Sequence, residues 1–294
     1  MSAHSDASDE AAAAMSRGGS AAAAEHDGAG GGIGVDGEAA LRRLAARRVD
    51  DRPYLAAYLD FADARPDAVL VAVGVDPAGN KRVLGVRGGG RDAERRGGAA
   101  RDLVRDLVRR GFARARRPLF VTGGSAALRR AVAEVPGGEV LAQACRARWT
   151  REVLRILPGR ERPGAAKAIA EAWRRGAEGG GGRLGELAAE LERRGRGAAA
   201  RRLRERPGDL FTVDRLGLHP QLRRSLSTTH VIAGVRLRPP KPTADGEDPW
   251  PDGAVALRHF AARFVQAEKG YRKIAGYRHL QLLKDHLDQI ALPL

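Results

Sequence analysis

Few side chains in this sequence combine a reactive type with an informative position, and the first of them is an aspartate. Asp60 closes the apolar run Tyr54–Asp60, which we interpret as extended chain. A carboxylate at a strand end can bind a hard metal ion, but such a residue is also an ordinary way to end a strand. The single cysteine, Cys145, excludes a disulfide framework and a multi-cysteine zinc site, and we interpret it as a small buried apolar side chain. By themselves these residues define no catalytic site.

Cations are far more numerous than reactive groups. The 294 residues include 52 Lys+Arg against 36 Asp+Glu, which gives a net charge of +16. Such an excess indicates a polyanionic partner, nucleic acid first. However, most of the cations are arginine, and arginine with abundant Ala and Gly is also what a GC-rich coding sequence produces. No run of about 18 apolar residues occurs, so the sequence predicts no membrane span.

The clearest local pattern among the elements that could position these residues is a hairpin. Two β-rich runs, Ala68–Asp76 and Lys81–Arg87, are separated by a Pro-Ala-Gly-Asn turn. Helical spacing of apolar residues marks Glu38–Arg48 as a helix. The elements predicted after the hairpin are a helix at Ala99–Phe112, a strand at 117–122, a helix at Ser125–Val135, a strand at Glu139–Gln143 and a helix at Trp149–Ile156. Three antiparallel strands followed by alternating helices and strands predict an α/β fold with a mixed sheet.

The remaining segments are distinguished by composition. Residues 1–37 are low in complexity and poor in bulky apolar side chains, so we expect a disordered N-terminus. Residues 88–98 are predicted to form a flexible glycine-rich loop. Residues 161–206 have a helical pattern with a break at the four glycines 179–182, and a further helical region is predicted from Ala254 onward.

Longer segments, in one continuous order from about Leu41 to the C-terminus, carry a more specific pattern. They are YLDFADARPDAVLVAVGVDPAGNKRVLGV, RPLFVTGGSAALRRAV, QACRARWTREVLRILP, DLFTVDRLGLHPQLRRSLSTTHVIAG and VALRHFAARFVQAEKGYRKIAGYRHL. Together they resemble the mutator-type transposases of bacterial insertion elements, which are DDE enzymes. The resemblance implies an RNase H-like mixed sheet flanked by helices, with an all-helical insertion before the helix that bears the last catalytic position. The implied segments are a tail (1–37), the first part of the core (38–160), the insertion (161–209) and the end of the core with C-terminal helices (210–294).

The resemblance also implies which positions should hold metal ions. In the family, two Asp and one Glu bind two Mg²⁺ ions for phosphoryl transfer. Asp60 stands at the first position. Gly123 stands at the second, within Leu119–Leu128, and Ala233 stands at the third, within Thr228–Ala233. Neither offers a side-chain ligand, so Asp60 is the only metal ligand left and we expect no productive Mg²⁺ binding.

Two further motifs of the family are altered. His230 replaces the family's Asn next to the third position, and imidazole is a poor Mg²⁺ ligand. In the motif that spans 143–154, Arg148 replaces a His and Glu152 replaces an Asn.

The C-terminal segment keeps the family pattern most closely, and its cations are candidate contacts to DNA phosphates. They are Arg258, Arg263, Lys269, Arg272, Lys273 and Arg278. The alternative interpretation is an ordinary solvated helix face.

The hypothesis drawn from the sequence is a transposase homologue whose ancestral strand cleavage and strand transfer are lost. The alternatives are a non-catalytic DNA-binding remnant and a chain with no stable fold, since the glycine tracts 88–90 and 179–182 are poor strand or helix material. The expected partner is DNA, with homo-oligomerisation on DNA left open. The expected location is the bacterial cytoplasm, with nucleoid association when DNA is bound.

Overall fold

A computed structural model of the chain describes residues 36–63, 67–113, 117–136, 140–205, 207–235 and 252–289. These residues form two compact units. One is Gln143–Thr228, and the other comprises the described residues of 22–142 and 229–294. The predicted disordered tail, 1–37, lies outside the described residues except for Asp36 and Gly37.

A five-stranded sheet has four of its strands and the first residue of the fifth in the second of these units. Its strands are β1 (Ala56–Asp63), β2 (Ala68–Val75), β3 (Lys81–Gly90), β4 (Leu119–Thr122) and β5 (Ala142–Ala144). Their order is β3-β2-β1-β4-β5. The β1–β2 and β2–β3 pairs are antiparallel and β1–β4 is parallel, so the predicted mixed sheet and its hairpin are confirmed.

The helices follow the predicted order with shifted ends. They are α1 (Gly37–Ala45), α2 (Ala93–Arg109), α3 (Ala126–Ala133), α4 (Arg146–Ile156), α5 (Arg162–Arg193), α6 (Gly197–Arg204), α7 (Pro207–Leu210), α8 (Thr212–Arg215), α9 (Pro220–Leu226), α10 (His230–Ala233), α11 (Gly253–Lys269) and α12 (Leu280–Gln289), with short 3-10 turns at Gly159–Glu161 and Tyr277–His279. No helix in the described part of the chain is long and apolar enough to cross a membrane.

The core of the sheet unit explains why these elements form. Every residue of β2 is buried, as expected of a strand covered on both faces. Leu59, Leu70 and Leu84 from three neighbouring strands cluster with Leu103 and Leu107 of α2. Each fully buried Leu contributes about 1.5–3 kcal/mol through the hydrophobic effect.

The predicted flexible loop at 88–98 is wrong. Strand β3 extends through Gly90, and α2 begins at Ala93 because the Asp92 side chain accepts the Arg95 N–H and caps the helix. A Cβ at Gly89 would lie 2.8 Å from the Phe61 ring and 2.9 Å from the Ala68 carbonyl oxygen. The glycine therefore permits close packing within the sheet rather than flexibility.

The helical unit also differs from its prediction in one detail. The irregular backbone in α5 is at Gly176 (φ 66°, ψ −151°), and 179–182 continue the helix. Trp149, Trp173 and Phe211 are buried in the core of this unit, with edge or tilted ring contacts at 5.4–5.6 Å. The assignment of 161–209 as an insertion stays a prediction.

Candidate functional site

Asp60 lies in the centre of the sheet. Strand β1 pairs with β2 on one side, where Asp60 faces Val71, and with β4 on the other. The side chain sits among buried neighbours, and the residue is only 2% exposed. A carboxylate this deep requires hydrogen bonds. Its Oδ1 accepts the Phe61 N–H at 2.7 Å and its Oδ2 accepts the Thr229 hydroxyl at 2.5 Å.

Gly123 follows β4 immediately, and its N–H donates to the Leu59 carbonyl oxygen at 2.8 Å. A Cβ added to Gly123 would lie 1.9 Å from Asp60 Oδ1 and 2.5 Å from Asp60 Cγ. Both distances are far inside van der Waals contact, about 3.5 Å. The carboxylate of Asp60 therefore occupies the space into which any side chain at 123 would extend. The structure brings these two predicted positions into direct contact.

The third predicted position, Ala233, is linked to Asp60 by hydrogen bonds of Thr229. This residue is 2% exposed and precedes the four-residue helix α10. The Ala233 N–H donates to the Thr229 carbonyl oxygen at 3.2 Å, which places Ala233 one helical turn after the residue that contacts Asp60. Ala233 and His230 are both exposed.

Thr229 is a residue of the site to which the sequence analysis gave no role. The one indication in the sequence was its position beside His230 in the altered motif. A threonine hydroxyl can donate a hydrogen bond to a carboxylate. Its partner Asp60 is 169 positions away in the chain, and sequence spacing alone does not reveal that contact.

The donor set at this site does not fit the two Mg²⁺ ions that the resemblance implies. Mg²⁺ needs near-octahedral oxygen ligands from converging carboxylates, whereas Gly123 and Ala233 have no side-chain oxygen. Asp60 supplies one carboxylate, already hydrogen-bonded by Thr229 and Phe61. In the described ranges, no three His, Cys, Asp or Glu residues cluster so that they could hold a metal ion.

The altered motif at 143–154 lies in the helical unit and has structural contacts. Cys145 is buried, as we expected of it, and its Sγ accepts the Arg148 N–H at 3.5 Å at the start of α4. Gln143 donates to the Leu210 carbonyl oxygen at 2.9 Å and accepts the Val213 N–H at 3.1 Å.

Arg146 and Asp214 form a buried ion pair that the sequence analysis missed. The Arg146 guanidinium also lies 4.8 Å from the Trp173 ring centre and 5.1 Å from that of Phe211. Burial lowers the pKa of Arg146, and the carboxylate of Asp214 opposes this. Arginine stays charged in proteins, so the pair joins α4 and α8 through charge as well as packing.

The predicted DNA-contacting cations lie on and after α11. Arg258 and Arg263 are partly buried, whereas Lys269, Arg272, Lys273 and Arg278 are exposed. These four form no ion pair with any acidic residue of the described ranges. They differ in this from Arg42, Arg48, Arg95 and Arg109, which are exposed but paired with neighbouring acids.

The protein class follows from comparison with known families. The family model described as "Transposase, Mutator family" matches residues 60–232, more than half of the chain. The chain therefore belongs to the Mutator family of transposases, which confirms the resemblance drawn from its motifs. The match begins at Asp60 and ends one residue before Ala233. A search of curated proteins found no significant match. Transposases of this family are generally metal-dependent, and the family makes DNA the partner to expect.

Proposed function

We propose that this chain is a Mutator-family transposase homologue that no longer performs strand cleavage and strand transfer. The family reaction is phosphoryl transfer, in which two metal ions stabilise the attacking and leaving oxygens. The observation that carries the proposal is the contact between Asp60 and Gly123. One carboxylate remains, and it occupies the space of the missing one.

The position of these residues in the sheet supports an RNase H-like core. In the fold that the resemblance implies, the first carboxylate lies on the first central strand and the second comes just after a later strand. Asp60 lies on β1 and Gly123 follows β4, which pairs with β1 in parallel. The assignment of 161–209 as a helical insertion belongs to the same proposal.

Gly123 and Ala233 stand where the family has its second Asp and its Glu. The absence of either carboxylate should abolish most transition-state stabilisation, because the described residues of the site offer no other group to compensate the charge of two divalent ions. The test is a strand-transfer assay on purified protein with Mg²⁺ or Mn²⁺. We expect no product above background. The proposal would be contradicted if the natural chain carried out strand transfer and the Asp60→Ala variant did not.

A second variant locates the loss. Gly123→Asp combined with Ala233→Glu supplies both missing carboxylates. Metal-dependent cleavage by this double variant, absent from the natural chain and abolished by adding Asp60→Ala, would place the loss of activity at these two positions.

A second function, DNA binding without catalysis, is favoured by the exposed cations at the end of α11 and after it. Lys269, Arg272, Lys273 and Arg278 are not neutralised by acids of the described ranges, so they are free to contact phosphates. A gel-shift titration at low salt tests this function. Absence of any shift with duplex DNA would remove it.

A further inference from the structure

An exposed aromatic ring lies in the middle of these cations. Tyr277 is 36% exposed, which is unusual for a large apolar residue of this chain. Lys273 Nζ lies 4.8 Å from its ring centre and the Arg278 guanidinium lies 5.9 Å from it. The segment from Lys269 to Arg278 contains four cations and no acid, so the potential around the ring is positive.

The ring is held in place by the turn between β2 and β3. The Ile274 N–H donates to the Gly79 carbonyl oxygen at 2.8 Å, and Ile274 is 3% exposed. Gly79 has φ +84°, and a Cβ at that position would lie 2.4 Å from Tyr277 Cβ. The turn itself is braced by Asp76, whose carboxylate accepts the Asn80 N–H at 2.9 Å. Tyr277 is therefore a pre-positioned surface group whose base is fixed and whose ring reaches solvent.

A fixed exposed ring between cations matches the chemistry that recognises unpaired nucleotides. Successive bases of a single strand stack on aromatic side chains while cations contact the flanking phosphates, and such stacking is tolerant of sequence. In a duplex the bases are already stacked on each other and cannot use the ring, so duplex DNA gains only the phosphate contacts. The positive charge alone does not distinguish single-stranded DNA from duplex DNA, whereas the exposed ring does.

We propose that Tyr277, with Lys273 and Arg278, forms a stacking site for single-stranded DNA. The site rests on the proposed DNA-binding function and specifies its ligand. A base stacks on the Tyr277 ring, and the phosphates on either side of it are contacted by the two cations.

The test compares the full chain and its variants by fluorescence anisotropy with labelled oligo(dT) and a labelled duplex of equal length. Tyr277→Leu removes the π face while leaving apolar contact with the turn at Gly79, and we expect it to weaken oligo(dT) binding by about fivefold or more. The same variant should change duplex binding by less than about twofold, since phosphate contacts are unchanged.

Two variants serve as controls. Tyr277→Phe keeps the ring and should bind oligo(dT) as the natural chain does. Lys284→Gln removes a nearby cation that already pairs with Asp288 at 3.0 Å, and it should leave both affinities nearly unchanged. A thermal melt of each variant confirms that the fold is retained.

The outcomes separate the two proposals. Binding of both oligonucleotides with no selective effect of Tyr277→Leu would overturn the stacking site and leave DNA binding in place. Failure of the natural chain to bind either oligonucleotide would overturn DNA binding and the stacking site together.

Discussion

At the scale of single residues, the absence of a side chain at position 123 has not left a void. The Asp60 carboxylate fills the space that a side chain at 123 would occupy, 1.9 Å from the position of its Cβ, and Thr229 and Phe61 satisfy its oxygens. A buried carboxylate with partners on both oxygens is stable without a metal ion. Asp60 thus connects β1 to the start of α10.

This contact predicts the effect of adding one methyl group. We expect Gly123→Ala to destabilise the fold by about 1–3 kcal/mol, because overpacking displaces a buried, hydrogen-bonded carboxylate. The measurement is the free energy of unfolding from denaturant titration. Gly98→Ala is the matched control, since it lies in α2 and a Cβ there meets nothing within 4 Å. It should be neutral or stabilising by up to about 1 kcal/mol.

A double-mutant cycle distinguishes this contact from a general effect of the added methyl. In the Asp60→Ala background the clash is absent, so Gly123→Ala should cost much less than in the natural chain. Equal costs in both backgrounds would show that the carboxylate does not occupy this space.

At the scale of elements, the local sequence does not show whether a glycine permits close packing or only weakens a helix. The tract 179–182 lies inside α5, and its members face different surroundings. A Cβ at Gly180 would lie 2.4 Å from the Phe211 ring and 2.5 Å from the Ala172 carbonyl oxygen, whereas a Cβ at Gly182 meets nothing within 4 Å. One glycine permits close helix packing and the other only weakens the helix.

Two substitutions in this tract should therefore have opposite effects. Gly182→Ala should stabilise the helical unit by about 0.5–1 kcal/mol, because alanine has the higher helix propensity. Gly180→Ala should destabilise it by about 1–3 kcal/mol despite the same propensity gain, because its methyl overlaps the Phe211 ring. Thermal melts followed by circular dichroism at 222 nm compare the two. Stabilisation by both would contradict the packing of Phe211 on α5.

Local patterns predicted the elements well where hydrophobic periodicity decides them. The hairpin of β2 and β3, strand β4 and helix α3 were all predicted within a few residues, because alternation and capping act within the segment. The loop predicted at 88–98 was wrong because Gly89 packs closely against the Phe61 ring of another strand, a contact that the local sequence does not show. The candidate site was predicted at Asp60, Gly123 and Ala233 from motif positions, but Thr229 was not, since its role depends on the approach of α10 to β1.

At the scale of the whole molecule, the net charge of +16 is unevenly compensated. Many exposed arginines pair with acids one turn away on their own helix, as Arg95 does with Asp92 and Arg109 with Asp106. Such exposed pairs contribute little to stability, yet they neutralise the charge locally. At the end of α11 and just after it, by contrast, stand Lys269, Arg272, Lys273 and Arg278, which have no such partner in the described ranges.

This difference predicts where the salt dependence of DNA binding arises. Binding constants for DNA fall as salt rises, and each phosphate contact that releases about one counterion makes the slope of log K against log salt steeper by about one. We therefore expect the change of Lys269, Arg272, Lys273 and Arg278 to Gln to reduce the magnitude of this slope by about three to four. The measurement is binding to duplex DNA by anisotropy over a range of salt concentrations.

The matched control removes the same charge elsewhere. Changing Arg42, Arg48, Arg95 and Arg109 to Gln gives the same net charge but alters arginines that already have acidic partners. This variant should keep most of the slope. Equal reductions in both variants would mean that overall charge, rather than the cations after α11, attracts DNA.

The sequence by itself determined the family, and it predicted Asp60, Gly123 and Ala233 as the catalytic positions, because family motifs are a property of residue order. It also determined the strand and helix order, since hydrophobic periodicity and capping are local. Only the tertiary structure decided that Asp60 occupies the space beside Gly123, that Thr229 donates to it, and that Tyr277 stands fixed on the turn at Gly79. Each of these is a contact between segments far apart in the chain, and its energy depends on atomic distances of a few ångströms that residue order does not specify.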